Sequence, residues 1–147
     1  MNNKTLRLVL IVVLLSGYYL YEQYTTHVNS TGVSTSTTSD ELFLAIQNRS
    51  SDVQVRGNGE VVKILPDDTR GSQHQRFLVE LSNGHTILIA HNIDLAPRVN
   101  ALREGDEIGF YGEFEWNDKG GVVHWTHHDP GNRHPHGWLE HRGKRYQ

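Results

Sequence analysis

The feature that most restricts the fold of this chain is an alternation of apolar and polar residues between Val53 and His127. It runs through residues 53–65, 75–81, 85–91, 107–116 and 122–127. Because successive side chains of a strand point to opposite faces, a period of two predicts half-buried β-strands. Polar turns such as Ser82-Asn83-Gly84 separate these segments and predict hairpins. The chain is therefore predicted to be all-β.

The order of these elements narrows the fold class further. A longer connection, Asn92–Asp106, separates the third strand from the fourth. Five strands in this order are typical of the OB-fold, a small Greek-key barrel, whereas a β-sandwich needs about seven strands. We predict an OB-fold-like five-stranded barrel over residues 40–129. The alternation assigns these side chains to its core: Val61, Ile64, Phe77, Val79, Leu81, Ile87, Ile89, Ile108, Phe110, Phe114, Val123 and Trp125.

The N-terminus carries an export signal. Lys4 and Arg7 precede an apolar run over residues 8–21, and tyrosines follow at its end. Basic residues before an apolar segment and an aromatic belt after it predict a signal-anchor helix over residues 1–24 that is retained in the cytoplasmic membrane. The protein is then expected in the inner membrane with a single pass and a periplasmic C-terminal domain. Secretion after cleavage is the alternative.

The segments on either side of the barrel have no strand pattern. Ten of the residues 25–39 are Ser or Thr, which predicts a flexible linker. A capping box at Thr38–Glu41 and apolar residues at helical spacing predict one short helix that ends near Asn48 and packs on the domain. Residues 130–147 lack periodicity and are predicted to form a histidine-containing C-terminal tail.

Composition excludes several kinds of chemistry. The formal net charge is -3, so tight, sequence-independent nucleic-acid binding is disfavoured. Cysteine is absent, which excludes disulfides, thiolate metal sites and a cysteine nucleophile.

The most chemically distinctive stretch is residues 124–130, HWTHHDP. Imidazole and carboxylate are the usual ligands of zinc and related divalent ions. The third and fifth strands of an OB barrel are parallel neighbours, so His91 should lie beside this stretch. Strand alternation would place His124 and His128 on one face. We therefore predict a zinc or manganese site with the following ligands: His91, His124, His128 and Asp129.

Two functions fit such a site. The first is a metal-dependent hydrolase of nucleic acid or another phosphodiester, in which His127 or His74 moves protons and Arg76 holds the anion. Glu113 and Glu115 share a strand face and could also serve as acid or base, although exposure of that face is a sufficient explanation for both. The alternative is a non-catalytic envelope module that binds a ligand or protein, with histidines that sense pH or metal.

Several short segments together resemble a known family. They are HQRF at 74–77, AHNIDLA at 90–96, EWN at 115–117, GGVVHWTHHDP at 120–130 and GW at 137–138. Over Val53–Gln147 the chain resembles an uncharacterised bacterial family of small exported proteins, a domain of unknown function. The resemblance implies a setting in the bacterial envelope and transfers no catalytic role.

Overall fold

The computed structural model describes residues 37–147. They form one helix and seven strands: α1 (Thr37–Asn48), β1 (Val53–Asp68), β2 (His74–Glu80), β3 (Thr86–Asn92), β4 (Glu107–Glu115), β5 (Val122–His124), β6 (Trp138–His141) and β7 (Lys144–Tyr146). The predicted anchor and most of the predicted linker lie outside the described residues. Within the part of the chain that is described, no helix has the length and apolarity needed to cross a bilayer.

Five of the strands close into a ring. The sheet order is β1-β2-β3-β5-β4-β6-β7, and β1 also pairs with β4. The β3–β5 pair is parallel, as the sequence predicts, and the other pairs are antiparallel. The protein is thus mostly β, and its sheet closes on itself through β1 to β5.

β1 closes the ring because it pairs with two strands in succession. Its first half, Val53–Glu60, pairs with β4, and the segment from Glu60 to Asp68 pairs with β2. Gly59 lies at the change of partner, where a Cβ atom would overlap the carbonyl oxygen of Glu80. Glycine therefore allows the close approach of strands that the crossover needs.

The interior of the ring is apolar, and the alternation predicts it well. Of the core positions taken from the sequence, Ile64 and Trp125 are half-buried and all the others are buried. The predicted helix is also confirmed as α1, and its Leu42 and Ala45 pack into the same core. The residues that alternate with the core positions on β2 to β5 point to the outer face of the ring, where a ligand can reach them.

The prediction that residues 130–147 form a tail is wrong. β6 pairs with β4 beyond the end of β5, and β7 pairs with β6. Leu139 and Tyr146 are part of the hydrophobic core. These strands have only four and three residues, so they are too short for alternation to reveal them.

The predicted last strand over residues 122–127 is also too long. β5 ends at His124, and Trp125 takes a left-handed backbone conformation with φ of 51°. A bulky residue rarely adopts this conformation. The alternation stops there, so the side chains after Trp125 no longer follow the face assignment that the sequence predicts.

Candidate functional site

Three potential metal ligands meet on the outer face of β4 and β5. Glu113 and Glu115 lie on β4, and His124 lies directly opposite Glu113 on β5. One ligand atom from each residue can be chosen such that all three lie within 4.8 Å of one another. Cross-strand partners in an antiparallel pair lie on the same face, so the register itself brings the imidazole to the carboxylates.

The Nε2 atom of His124 is buried and has no hydrogen-bond partner. It lies 3.5 Å from Oε1 of Glu113, which is too long for a good hydrogen bond. Two ligands of a tetrahedral zinc ion, each bonded at about 2.0–2.2 Å, lie about 3.4 Å apart. The separation therefore suits two groups that share an ion better than two groups that bond to each other.

A second buried nitrogen without a partner, Nε2 of Gln54, belongs to the same region. Gln54 lies on β1 directly opposite Glu113, on the side away from His124. Within residues 37–147 these two nitrogens are the buried side-chain atoms that lack a hydrogen bond. Buried polar groups are almost always satisfied, so both nitrogens call for a partner. The imidazole lone pair suits a metal ion, whereas the Gln54 amide can only donate and suits an oxygen such as that of water or of Glu113.

Burial lowers the pKa of His124, and the nearby Glu113 and Glu115 carboxylates oppose that shift without cancelling it. The imidazole is therefore neutral near neutral pH. A neutral ring keeps the lone pair that a metal ion needs.

A groove of about 300 Å³ begins beside this cluster. Its lining includes Glu115 and His124 on one side, His74 and Arg76 of β2 on the other, and the short side chain of Ala90 on β3. β3 lies between β5 and β2 in the sheet, so the groove crosses β3 and connects the cluster with Arg76. Asp68 also lines the groove, 3.9 Å from Arg76, so a small anion would have the imidazole on one side and an arginine paired with a carboxylate on the other.

Neighbouring groups hold the β2 side chains in place. Arg76 donates from Nε and one terminal nitrogen to the carbonyl oxygen of Pro66, at 3.1 and 2.9 Å. Nδ1 of His74 donates to the carbonyl oxygen of Ser72 at 2.9 Å, so in the neutral ring Nε2 carries the lone pair. The predicted proton carrier and the predicted anion contact thus line the same groove as His124.

His91 lies inside the fold rather than in this cluster. Its Nδ1 is 2.9 Å from Oγ1 of Thr126, and its Nε2 is 3.3 Å from the carbonyl oxygen of Pro97. Burial lowers its pKa to about 4. Both nitrogens therefore have partners within the protein, and the ring ties the end of β3 to the chain that follows β5.

The other predicted residues of the motif are also apart from the cluster. Asp129 accepts hydrogen bonds from the backbone amides of Gly131, Arg133 and His134, and these bonds lower its pKa. His128 is exposed and stacks on His136 at 3.8 Å. Nδ1 of the buried His127 donates to the carbonyl oxygen of His128. Of the predicted ligands, His124 is the one that joins the cluster.

The family described as "Protein of unknown function (DUF3465)" matches residues 26–147. This chain belongs to that family. A comparison with curated proteins finds no match. The resemblance to a domain of unknown function is thereby confirmed, and export stays a prediction. This DUF3465 member has its helix, its strands and its candidate site within the matched range.

From the sequence, Glu113 and Glu115 are expected only as acid or base groups in this DUF3465 protein, and the structure adds them as candidate metal ligands. The Glu-x-Glu spacing on β4 places both carboxylates on one face, and this signal is present in the sequence. The sequence does not give the register between β4 and β5. That register places His124, rather than another histidine, opposite Glu113.

Proposed function

We propose that this protein is a membrane-anchored, extracytoplasmic OB-fold domain that binds one divalent transition metal through Glu113, Glu115 and His124 and uses it to hydrolyse phosphodiesters. The observation that carries the proposal is the convergence of these three ligand atoms within 4.8 Å of one another. The ligand set keeps His124 from the sequence motif and replaces His91, His128 and Asp129 by the two glutamates.

The OB-fold assignment rests on the strand connections. A ring in which β1 pairs with β2 and β4, and β3 pairs with β5 in parallel, has the connectivity of a five-stranded Greek-key barrel. OB-folds bind ligands on the outer face around strands 2 and 3, and the groove beside His124 lies over β2, β3 and β5. In an OB-fold, the proposed site would therefore lie in the usual binding position.

The ligand set suits zinc or manganese. Two carboxylates and a neutral imidazole offset the charge of a divalent ion, and these ligand types are common to both metals. Three protein ligands leave at least one position for water, as in catalytic zinc sites. Bound there, the ion would supply a hydroxide nucleophile and stabilise developing negative charge.

The groove would supply the remaining groups. Arg76 bonds to Pro66 through two nitrogens and has its third nitrogen 3.9 Å from Asp68, and it would offer its remaining N–H groups to the phosphoryl oxygens. His74, with the lone pair of its neutral ring on Nε2, would accept or donate a proton in the groove. The phosphodiester would lie over Ala90, between the cluster and Arg76.

The cellular setting in the proposal comes from the N-terminal sequence. Lys4 and Arg7 before the apolar run would keep the N-terminus in the cytoplasm and place the domain in the periplasm. A linker of Ser and Thr residues would let the domain reach substrates away from the bilayer.

Metal titration of the purified full-length chain tests the site. After chelator treatment, calorimetry should give one Zn²⁺ or Mn²⁺ per chain. His124→Ala and Glu113→Gln should each weaken metal binding by more than about 100-fold. Removal of a residue that only orients a ligand costs at most about 100-fold, so loss of a ligand itself should cost more. His128→Ala is the matched control, because His128 is exposed and outside the cluster, and it should bind metal as the wild type does.

Hydrolysis of a chromogenic phosphodiester and of plasmid DNA then tests the reaction. Activity should require added metal and disappear in His124→Ala. Arg76→Ala should keep its metal affinity and raise KM. If His124→Ala binds metal as tightly as the wild type, the proposed ligand set is wrong. If the wild type binds metal without turnover, the hydrolase is wrong.

The second candidate is a non-catalytic module that binds an anionic ligand. The guanidinium groups of Arg56 and Arg145 lie 5.0 and 4.4 Å from the ring centroid of Trp138, on the outer face that also carries Tyr111. Arg145 is paired with Glu140 at 2.9 Å, so Arg56 is the one of these two cations that would meet an anionic ligand beside the ring. Retained ligand binding without turnover, lost in Arg56→Ala, would favour this function.

A further inference from the structure

Each oxygen of Glu113 faces a different imidazole. Oε1 lies 3.5 Å from Nε2 of His124, and Oε2 lies 3.6 Å from Nδ1 of His134. Glu113 is mostly buried, with 16% of its side chain exposed. The second oxygen therefore has a specific neighbour rather than bulk water, and that neighbour comes from the segment between β5 and β6.

The backbone that carries His134 is held by Asp129. The carboxylate of Asp129 accepts hydrogen bonds from the backbone amides of Gly131, Arg133 and His134 itself, at 2.9, 2.6 and 3.0 Å. A carboxylate with three backbone donors fixes the path of the loop around it. His134 is thus placed by a built turn and not by a freely moving tail.

The ring of His134 is held as well. It stacks on Trp125 with ring centroids 3.9 Å apart and an interplanar angle of 15°. Trp125 has the left-handed backbone conformation that follows β5, and its indole lies against the ring of the loop residue His134. One face of the imidazole is covered by the indole while Nδ1 faces Glu113.

We propose that His134 is a positioning residue of the metal site: its Nδ1 lies 3.6 Å from the second oxygen of Glu113, longer than a hydrogen bond, and would close to a hydrogen bond with that oxygen when the first oxygen binds the ion. This inference rests on the proposed function, because it concerns a ligand of that same ion. His134 lies outside the set of mutually close ligand atoms, so its role is to orient Glu113 and not to bind the metal.

The physical reason is the freedom of a glutamate side chain. Glu113 can rotate its carboxylate away from the site unless the other oxygen is bound, and groups that orient metal ligands typically contribute about 10–100-fold in affinity. Gln54 lies opposite Glu113 on β1, but its amide nitrogen makes no hydrogen bond to the carboxylate. The orientation of Glu113 therefore depends on the loop that carries His134.

Three substitutions separate the donor of His134 from its packing. His134→Phe keeps an aromatic ring on Trp125 but has no nitrogen. His134→Asn places an N–H near the position of Nδ1 but cannot stack. His134→Ala removes both. Titration of each full-length variant with Co²⁺, followed by calorimetry and visible absorption, gives the affinity and the coordination of the ion.

We expect His134→Ala and His134→Phe to bind Co²⁺ about 10–100-fold more weakly than the wild type, and His134→Asn to recover most of that loss. His136→Ala is the control for a general disturbance of the same loop, because His136 stacks on His128 and accepts a hydrogen bond from the backbone amide of Asp129. It should bind Co²⁺ like the wild type.

The outcomes distinguish this inference from the proposed function. Wild-type affinity in His134→Phe, or equal losses in all three variants, would assign His134 to packing and overturn the inference while leaving the metal site intact. A wild-type protein that binds neither Co²⁺ nor Zn²⁺ nor Mn²⁺ would overturn the proposed function itself.

Discussion

At the scale of single residues, His91 shows how burial decides what a histidine can do. It is fully buried, with Thr126 and the carbonyl of Pro97 at its two nitrogens. A charged imidazolium is unfavourable in the buried interior, and burial therefore lowers the pKa of His91 to about 4. Protonation would also put a hydrogen on the nitrogen that accepts from the Thr126 hydroxyl. The ring is a neutral crosslink of the core.

This crosslink predicts a specific loss of stability in acid. The unfolded chain protonates His91 near pH 6.5, but the folded chain does so only near pH 4. The unfolded state therefore binds more protons in this interval, and stability falls as the pH decreases from about 6.5 to about 4. The loss from this residue is at most about 3 kcal/mol.

Urea unfolding of wild type and His91→Gln at several pH values measures this contribution. Glutamine can donate and accept without titrating, so the free energy of unfolding should depend less steeply on pH in the variant between about 6.5 and 4. Parallel curves for the two proteins would show that His91 does not cause the acid dependence.

At the scale of elements, the position of β5 decides which groups meet. Gly112 on β4 faces the end of β5, and a Cβ atom there would overlap the carbonyl oxygen of His124 and lie 2.9 Å from Cγ2 of Thr126. Glycine at this position lets β5 approach β4 closely, and this approach brings His124 to Glu113.

Gly112→Ala should therefore push β5 outward. We expect a loss of about 1–3 kcal/mol of stability, the usual cost of overpacking, together with weaker metal binding. Gly109→Ala is a matched control on the same strand, because a Cβ there would have its nearest neighbours at 3.6 Å, an ordinary contact. Thermal unfolding and metal titration compare the two. Equal tolerance of both substitutions would show that Gly112 does not set the position of β5.

The sequence predicts the strands that obey alternation and fails where the backbone departs from it. β2, β3 and β4 follow the pattern over seven to nine residues, so their faces are correct. The left-handed Trp125 has no sequence signal, because large residues rarely adopt that conformation. The faces predicted for His128 and its neighbours are wrong for this reason. His124 precedes the turn, and its predicted face is correct.

At the scale of the whole molecule, the C-terminal strands complete the fold. Leu139 on β6 lies opposite Phe110 of β4, and both side chains are fully buried. β5 is too short to cover the full length of β4, so β6 occupies the remaining edge. The pairing of β6 with β4 depends on how the whole sheet closes. The local alternation of residues does not predict it.

Leu139→Ala tests this view of residues 130–147. Because Leu139 is 0% exposed, its truncation should reduce the free energy of unfolding by about 2–5 kcal/mol. Leu95→Ala makes the same chemical change at a side chain that is 45% exposed, so it should change stability by no more than about 0.5 kcal/mol. Denaturant unfolding of both variants at one pH gives the comparison. If Leu139→Ala matches Leu95→Ala, β6 contributes nothing to the core, and the segment that carries His134 must be treated as a tail after all.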